Sequence, residues 1–133
     1  MKTILLTISI LFLSATAPAQ RAVEPVRVLV NAPQGEANAE LADDVRAELR
    51  KLRDVVITGR NADYELQLNA HVIAADRCKG VAVAALVVRR ADNLHDLTVY
   101  VGADSREVAA FIVAALNKEH FAPRREAATN RRK

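Results

Sequence analysis

The spacing of apolar residues along the chain predicts five strands and two helices. Residues 26–30 are rich in β-branched side chains and predict a first strand. From residue 36 to residue 53 the apolar positions recur every three or four residues, which predicts a helix with one apolar stripe and a charged outer face. Residues 55–58 predict a second strand. We expect it to lie parallel to the first, because a strand-helix-strand unit within one sheet closes by a parallel crossover.

The second half of the chain predicts three antiparallel strands. Residues 64–74 alternate cleanly, with Tyr64 and every second residue after it on a buried face. The segment 76–80 is polar and predicts a turn, after which the apolar run 81–88 predicts a central strand. A second turn at residues 91–94 leads into the alternating residues 97–101, so the last two strands predict a hairpin.

A closing helix follows the last strand. Asp104 and Glu107 have the spacing of a capping box, and the apolar positions after them, including Phe111, form one broad face. Pro123 sets the latest end of this helix. The predicted fold is therefore α+β, a two-layer sandwich of order β-α-β-β-β-β-α, with a mixed four- or five-stranded sheet and two helices on one face.

The amino terminus has the pattern of a secretory signal peptide. Lys2 precedes an apolar run of signal-peptide length, and small residues at Ala17 and Ala19 predict cleavage after residue 19. The run is too short to span a bilayer as a helix, and no later segment is apolar enough to do so. We therefore expect residues 20–123 to form one domain located in the periplasm or outside the cell.

The charge of the chain is concentrated at its carboxyl end. The formal net charge is +3, but the last ten residues alone carry +4, which leaves −2 for residues 20–123 once Lys2 is also removed. We expect residues 124–133 to be a disordered basic tail. Its cations are a candidate electrostatic contact for anionic lipid or another acidic polymer, with membrane contact at most peripheral: Arg124, Arg125, Arg131, Arg132 and Lys133.

Cys78 is the only cysteine, so the chain cannot form an internal disulfide. The expected environment is oxidising, and Arg77 and Lys79 flank the thiol and favour its thiolate. Three interpretations remain open: a residue without a role, a reactive thiol, and a crosslink between two copies of the chain.

No pattern in the sequence assembles a catalytic site. Nucleophilic catalysis needs a base beside a hydroxyl or thiol, and nothing in the sequence links the three histidines His71, His95 and His120 to one another. The close pair His95 and Asp96 offers two metal-ligand residue types, but their side chains point to opposite faces of a strand. We therefore predict no catalytic residue, no metal and no cofactor. Nucleic acid is excluded because no aromatic platform accompanies the basic residues.

Residues 26–75 carry a family resemblance in a helical stripe and two short motifs: Leu41, Val45 and Leu49; Asp54-Val55-Val56; and Ala62-Asp63-Tyr64-Glu65-Leu66. The stretch resembles the amino-terminal domain of the Tol-Pal translocation protein B family. It is also similar to related domains of curli-secretion pore lipoproteins and penicillin-binding-protein activator lipoproteins. The resemblance implies a non-enzymatic binding domain of the bacterial envelope. It transfers no partner, because the propeller and the lipid-bearing cysteine of those proteins have no counterpart in this chain.

Our hypothesis from the sequence is an exported, non-catalytic domain that binds a protein or an envelope component. The candidate contact patch comprises Thr98, Tyr100 and the turn at Asp92 and Asn93. The alternative from another class is a small periplasmic hydrolase or redox protein that uses His71, His95 or Cys78. That alternative requires a pocket in which one of these side chains meets a carboxylate or hydroxyl.

Overall fold

A computed structural model describes residues 24–75 and 77–131 of the chain. The proposed signal peptide, residues 1–19, lies outside the described residues. The described chain forms the predicted order of five strands and two core helices, followed by further helical turns. In chain order the elements are β1 (Val26–Asn31), α1 (Glu36–Leu49), β2 (Val55–Ile57), β3 (Tyr64–Ala75), β4 (Cys78–Arg89), β5 (Leu94–Gly102), α2 (Ser105–Leu116), a π-helical segment (Asn117–Phe121) and α3 (Ala122–Asn130).

All five strands belong to one mixed sheet, in the order β2-β1-β3-β4-β5. β1 lies between β2 and β3 and runs parallel to both, whereas β4 is antiparallel to its two neighbours, β3 and β5. The predicted parallel crossover and the predicted hairpin are therefore both confirmed. The sheet has two edges, the three-residue strand β2 and the nine-residue strand β5.

β3 is the central strand, and the buried face predicted for it is confirmed over its first half. Tyr64, Leu66, Leu68 and Ala70 are all buried. The prediction is wrong beyond residue 70, since Val72 is 66% exposed and Ala74 is also exposed. β3 and β4 are each twelve residues long, and their shared hairpin extends past the helices that cover the rest of this face.

Helices α1 and α2 cover one face of the sheet, as predicted. The apolar stripe of α1 is buried at Leu41, Val45 and Leu49, and α1 contacts α2 through a hydrogen bond from Ser105 Oγ to Asp44 Oδ2 of 2.6 Å. The Asn38 side chain accepts the backbone N–H of Ala70 at 2.7 Å, which satisfies a strand amide at a point where β1 has already ended. The core thus lies between the two helices and the sheet.

The start of α2 confirms Asp104 as the N-cap, while Glu107 binds the amide one residue before the N-cap, a variant of the predicted capping box. The Asp104 side chain accepts the backbone N–H of Glu107 at 2.9 Å, and the Glu107 carboxylate accepts the backbone N–H of Ala103 at 2.6 Å. Gly102 permits this tight turn, because a Cβ there would lie only 2.8 Å from Cγ2 of Val108. The strand-to-helix turn therefore depends on a residue without a side chain.

Three local predictions are wrong. Cys78, Lys79 and Gly80 belong to β4 and not to a turn, because the strand register continues as far as the pair Ala75 and Cys78. Phe111 is 48% exposed, since it lies at the margin of the buried face of α2, one helical turn from the exposed Glu107. The first helix ends at Leu49 and not at residue 53, although Leu52 still packs partly against the core.

The expected disorder of the tail is also wrong over its described part. Pro123 does not end the helical region, because it lies in the first turn of α3, where its missing N–H is not needed. The π-helical segment leads into α3, which continues to Asn130. Arg132 and Lys133 lie outside the described residues.

We expect Ile112→Ala to lower the free energy of unfolding by about 2–5 kcal/mol, because Ile112 is 1% exposed and its loss leaves a cavity. The matched control is Ile73→Ala, at a residue that is 40% exposed near the end of the β3–β4 hairpin. We expect it to lower the free energy of unfolding by less than about 1 kcal/mol. Urea denaturation followed by circular dichroism measures both. Equal effects of the two substitutions would contradict the placement of the core.

Candidate functional site

The edge strand β5 has an apolar side that no described part of the chain covers. Leu97, Val99 and Val101 are 66%, 65% and 61% exposed and point to the outer face, which is the sheet face opposite α1 and α2. In the register of the hairpin they lie beside Leu86, Ala84 and Ala82 of β4, which share that face. These six residues form one continuous surface, the apolar strip.

β5 lacks the features that usually protect an edge strand. Such strands are normally short, or carry proline, lysine or a bulge that prevents pairing with another chain. β5 has nine residues, contains neither proline nor lysine, and pairs with β4 in an uninterrupted register. Its one formally charged residue, Asp96, points away from the apolar strip to the helix side. The free backbone groups of this edge are therefore available to another strand.

The structure does not bring the four residues of the sequence-predicted contact patch together. Thr98 and Tyr100 point to the helix side of β5, and burial raises the pKa of the Tyr100 hydroxyl. Asp92 and Asn93 lie in the turn before β5. A hydrogen bond from Nε of Arg89 to Oδ1 of Asp92, 2.7 Å long, lowers the pKa of that carboxyl.

A cluster of potential metal ligands lies where β5 meets the π-helical segment. One ligand atom from each of Asp96, Glu119 and His120 lies within 4.8 Å of the others. His120 is 7% exposed, and its Nε2 lies 3.5 Å from Oδ2 of Asp96. Two carboxylates and an imidazole are an acceptable donor set for zinc and similar ions.

The second ring nitrogen of His120 argues against a metal at this cluster. Among the described side chains, Nδ1 of His120 is buried without a hydrogen-bond partner. A metal on Nε2 would require the proton on Nδ1, where it would be a buried donor with no acceptor, whereas metal-bound histidines normally donate that proton to an oxygen. A proton on Nε2 instead would face Asp96, whose Oδ2 lies 3.5 Å away, and would leave only a lone pair unpaired at Nδ1.

A cleft of about 900 Å³ lies beneath α3, and ion pairs cross it. Arg124 Nη1 lies 2.9 Å from Oδ2 of Asp63, and Arg125 Nη2 donates to Oδ1 of Asp54 at 2.7 Å. The hydrogen bond from Arg125 lowers the pKa of Asp54. Burial opposes ionisation of Asp63, but hydrogen bonds from the backbone N–H of Arg27 and from Arg124 outweigh it and lower that pKa as well.

These ion pairs show that part of the basic tail contacts the folded domain. Arg124 and Arg125 are two of its five predicted cations, and both pair with carboxylates that directly precede strands, Asp63 before β3 and Asp54 before β2. Arg131 is exposed at the end of α3 and lines the same cleft. The tail therefore attaches the carboxyl end of the chain to the domain. Sequence reasoning missed this role, because nothing in the spacing of the arginines marks the distant aspartates.

The residues of the hydrolase or redox alternative are exposed and far apart. His71 pairs with Ala82 of β4 and His95 with Val88, six residues further along that strand, or about 20 Å. Cys78 begins β4, four residues from Ala82 and about 13 Å away by the same rise. The pocket that this alternative requires is not formed by these three residues.

Comparisons with known proteins show a likeness of fold. TolB from Acinetobacter baumannii aligns with a TM-score of 0.58 and 10% identity, over 72% of this chain and 28% of TolB. A PelC dodecamer from Paraburkholderia phytofirmans aligns at 0.48 and 16% identity, over 70% and 86% of the two chains. A lipoprotein from Neisseria meningitidis aligns at 0.42 and 12% identity, over 71% and 96%. The resemblance seen in the sequence is thus confirmed at the level of the fold.

No protein-family model matches the sequence, and no curated protein matches it either. Within residues 24–75 and 77–131, none of the helices has the length and apolar character needed to cross a membrane.

We expect Arg125→Gln to loosen α3, because no residue of α3 is buried and the pair with Asp54 joins it to the sheet. Amide hydrogen exchange at residues 127–130 should become about threefold faster or more, while the control Arg131→Gln leaves it unchanged. Lowering the pH should also loosen α3, because it protonates the carboxylates that pair with Arg124 and Arg125. The lowered pKa values of Asp54 and Asp63 mean that their stabilisation is present above about pH 3.8 and is lost below it. Unchanged exchange in Arg125→Gln would show that other contacts hold α3.

Proposed function

We propose that this protein is an exported, non-catalytic domain of the bacterial cell envelope that binds a protein partner through β5 and the apolar strip. The observation that carries the proposal is the exposure of Leu97, Val99 and Val101 on an unprotected edge strand. An exposed edge offers backbone donors and acceptors, and the side chains beside it determine which strand can pair there. A protein is the partner class that uses both features.

The apolar strip supports a macromolecular partner over a small ligand. Small-molecule sites are concave and enclose most of the ligand, whereas these side chains lie on an open sheet face. Contiguous exposed apolar surface on a domain otherwise rich in charge is typical of interaction sites. The dispersed positions of His71, His95 and Cys78 support a non-catalytic role in the same way.

The proposed location rests on the amino-terminal pattern and on the family resemblance of residues 26–75. The charged start, the apolar core and the small residues before Gln20 are features of an exported precursor. A contact with anionic lipid through the tail would be weak, because Arg124 and Arg125 already pair with Asp63 and Asp54.

We expect the full chain, expressed in a Gram-negative host, to be recovered from the periplasm with Gln20 as its first residue. Intact-mass spectrometry of the exported protein measures the cleavage site. The control is Leu11→Lys, which places a charge in the apolar run and should leave an uncleaved precursor in the cells. Recovery of the uncleaved wild-type chain from the cytoplasm would contradict export.

We expect Val99→Lys to abolish binding of an envelope partner, since it places a charge on the apolar strip, next to the middle residue of β5. The exported protein and each variant carry a photoreactive amino acid in place of Leu94, at the start of β5, and serve as bait for photocrosslinking in a native envelope fraction, followed by mass spectrometry of the crosslinked peptides. The matched control is Val56→Lys, at a residue that is 47% exposed on the opposite edge strand β2. Crosslinks from β5 that Val99→Lys removes and Val56→Lys retains support the proposal. Crosslinks that avoid β5, or that both variants retain, contradict it.

A further inference from the structure

We propose that the partner of β5 is β5 of a second copy of this chain, paired antiparallel around a two-fold axis at Thr98. This inference rests on the proposed function, because it uses the same edge strand. Thr98 is the middle residue of the strand Leu94–Gly102, so a two-fold axis at this point allows the whole strand to pair with its copy. The two sheets would then join into one sheet of ten strands.

The outer face of β5 matches itself in this register. Leu97 lies opposite Val99 of the second copy, and by symmetry Val99 lies opposite Leu97. Apolar pairs directly opposite each other on adjacent strands contribute about 0.2–1 kcal/mol each. At the ends of the strip Val101 meets the ring of His95. The most exposed aliphatic side chains of this edge therefore meet one another.

The helix side of β5 is also self-complementary. Thr98 meets Thr98 across the axis, a pair that favours adjacent strands. Asp96 lies opposite Tyr100 of the second copy, so the one carboxylate of the strand meets a hydroxyl donor and not a like charge. A tyrosine hydroxyl is a donor at neutral pH, and burial raises the pKa of Tyr100 further from that range. A shift of the register by two residues would lose the end-to-end pairing of the two strands.

Phe111 adds apolar surface to the same edge from the helix layer. It lies one helical turn from Glu107, which reaches over Gly102, and one turn from Ala115, which lines a groove with Tyr100. Phe111 therefore lies above β5 and is 48% exposed. In the symmetric pair the two Phe111 side chains lie on either side of the axis, above the joined strands. This placement accounts for a large aromatic side chain left open on an otherwise well-packed helix.

The size of the contact predicts a reversible dimer. A stable interface commonly involves about 20–30 residues from each side, whereas β5 and Phe111 provide about ten. The assembly closes after two copies, because the edges that remain free are the three-residue strands β2, which offer little pairing. The two Cys78 thiols lie seven residues from the level of the axis in opposite directions, about 45 Å apart, so this dimer is not the one that a Cys78 disulfide would form.

The first test is sedimentation equilibrium of the exported protein under reducing conditions, from about micromolar to about millimolar concentration. We expect a reversible monomer–dimer equilibrium. Val99→Lys should weaken it about tenfold or more, and Val56→Lys should leave it unchanged. A protein that stays monomeric over the whole range overturns the inference, as does a dimer that Val99→Lys does not weaken.

The second test determines the register in which the two β5 strands pair. In a Cys78→Ser background, Thr98→Cys places two thiols opposite each other on the axis, within the range that a disulfide between adjacent strands spans. We expect a covalent dimer on a non-reducing gel after mild oxidation, and none for Val56→Cys in the same background. Covalent dimer from Val56→Cys but not from Thr98→Cys overturns the register. If Thr98→Cys fails to fold, the sedimentation of the unaltered chain still decides the inference.

The two proposals fail in different ways. If the purified protein is monomeric while β5 crosslinks to another envelope protein in a manner that depends on Val99, the homodimer is wrong and the proposed function stands. If no crosslink involves β5 and the purified protein is monomeric, both are wrong.

Discussion

The start of β3, at Asp63 and Tyr64, makes the contacts on which the other parts of this fold depend. Asp63 accepts the backbone N–H of Arg27 at 2.9 Å, which fixes β1 beside β3, and it pairs with Arg124. Tyr64 is buried next to it, directs its hydroxyl to the carbonyl of His120, and meets the ring of Phe121 edge-on at a centroid distance of 5.3 Å. Two adjacent residues thus join the central strand, its parallel neighbour and the carboxyl end of the chain.

This arrangement also determines which surface remains open. The π-helical segment and α3 are held at the end of the sheet where β3 begins, by Tyr64 and by the ion pairs of Arg124 and Arg125. They therefore leave the outer face uncovered, and the π-helical segment meets β5 on the helix side, where His120 lies beside Asp96. Helices α1 and α2 occupy the other face, where the core lies. Within the described residues, the side of the sheet with the apolar strip has no covering layer.

Sequence reasoning predicted the elements well and the exposure of β5 poorly, and the reason is physical. In the first half of β3, residues 64–70, only one set of alternating residues is apolar, so the buried face there follows from the pattern. In β5 both sets contain large side chains, with Leu97 and Val99 on one face and Tyr100 on the other, and β4 is apolar on both faces. The register of the β4–β5 hairpin then determines which face of β5 is buried, and it places Tyr100 on the core side. The ion pairs of Arg124 and Arg125 could not be predicted from the sequence either, because their partners lie about 60 or 70 positions earlier in the chain.

The outer face also has a polar part, the hydrogen-bond network around Glu65 on β3. This network limits how a partner can approach. Glu65 accepts hydrogen bonds from Asn31 at 3.0 Å and from Arg90 at 2.8 Å, and also from Gln67, whose bond is the main cause of its lowered pKa. Covering this network would remove a charged pair from water, which costs free energy that only new hydrogen bonds could restore. Covering the apolar strip carries no such cost. A partner that adds to β5 leaves the network in solvent, whereas one that lies flat over the whole face does not, and the division of this face therefore favours contact at the edge.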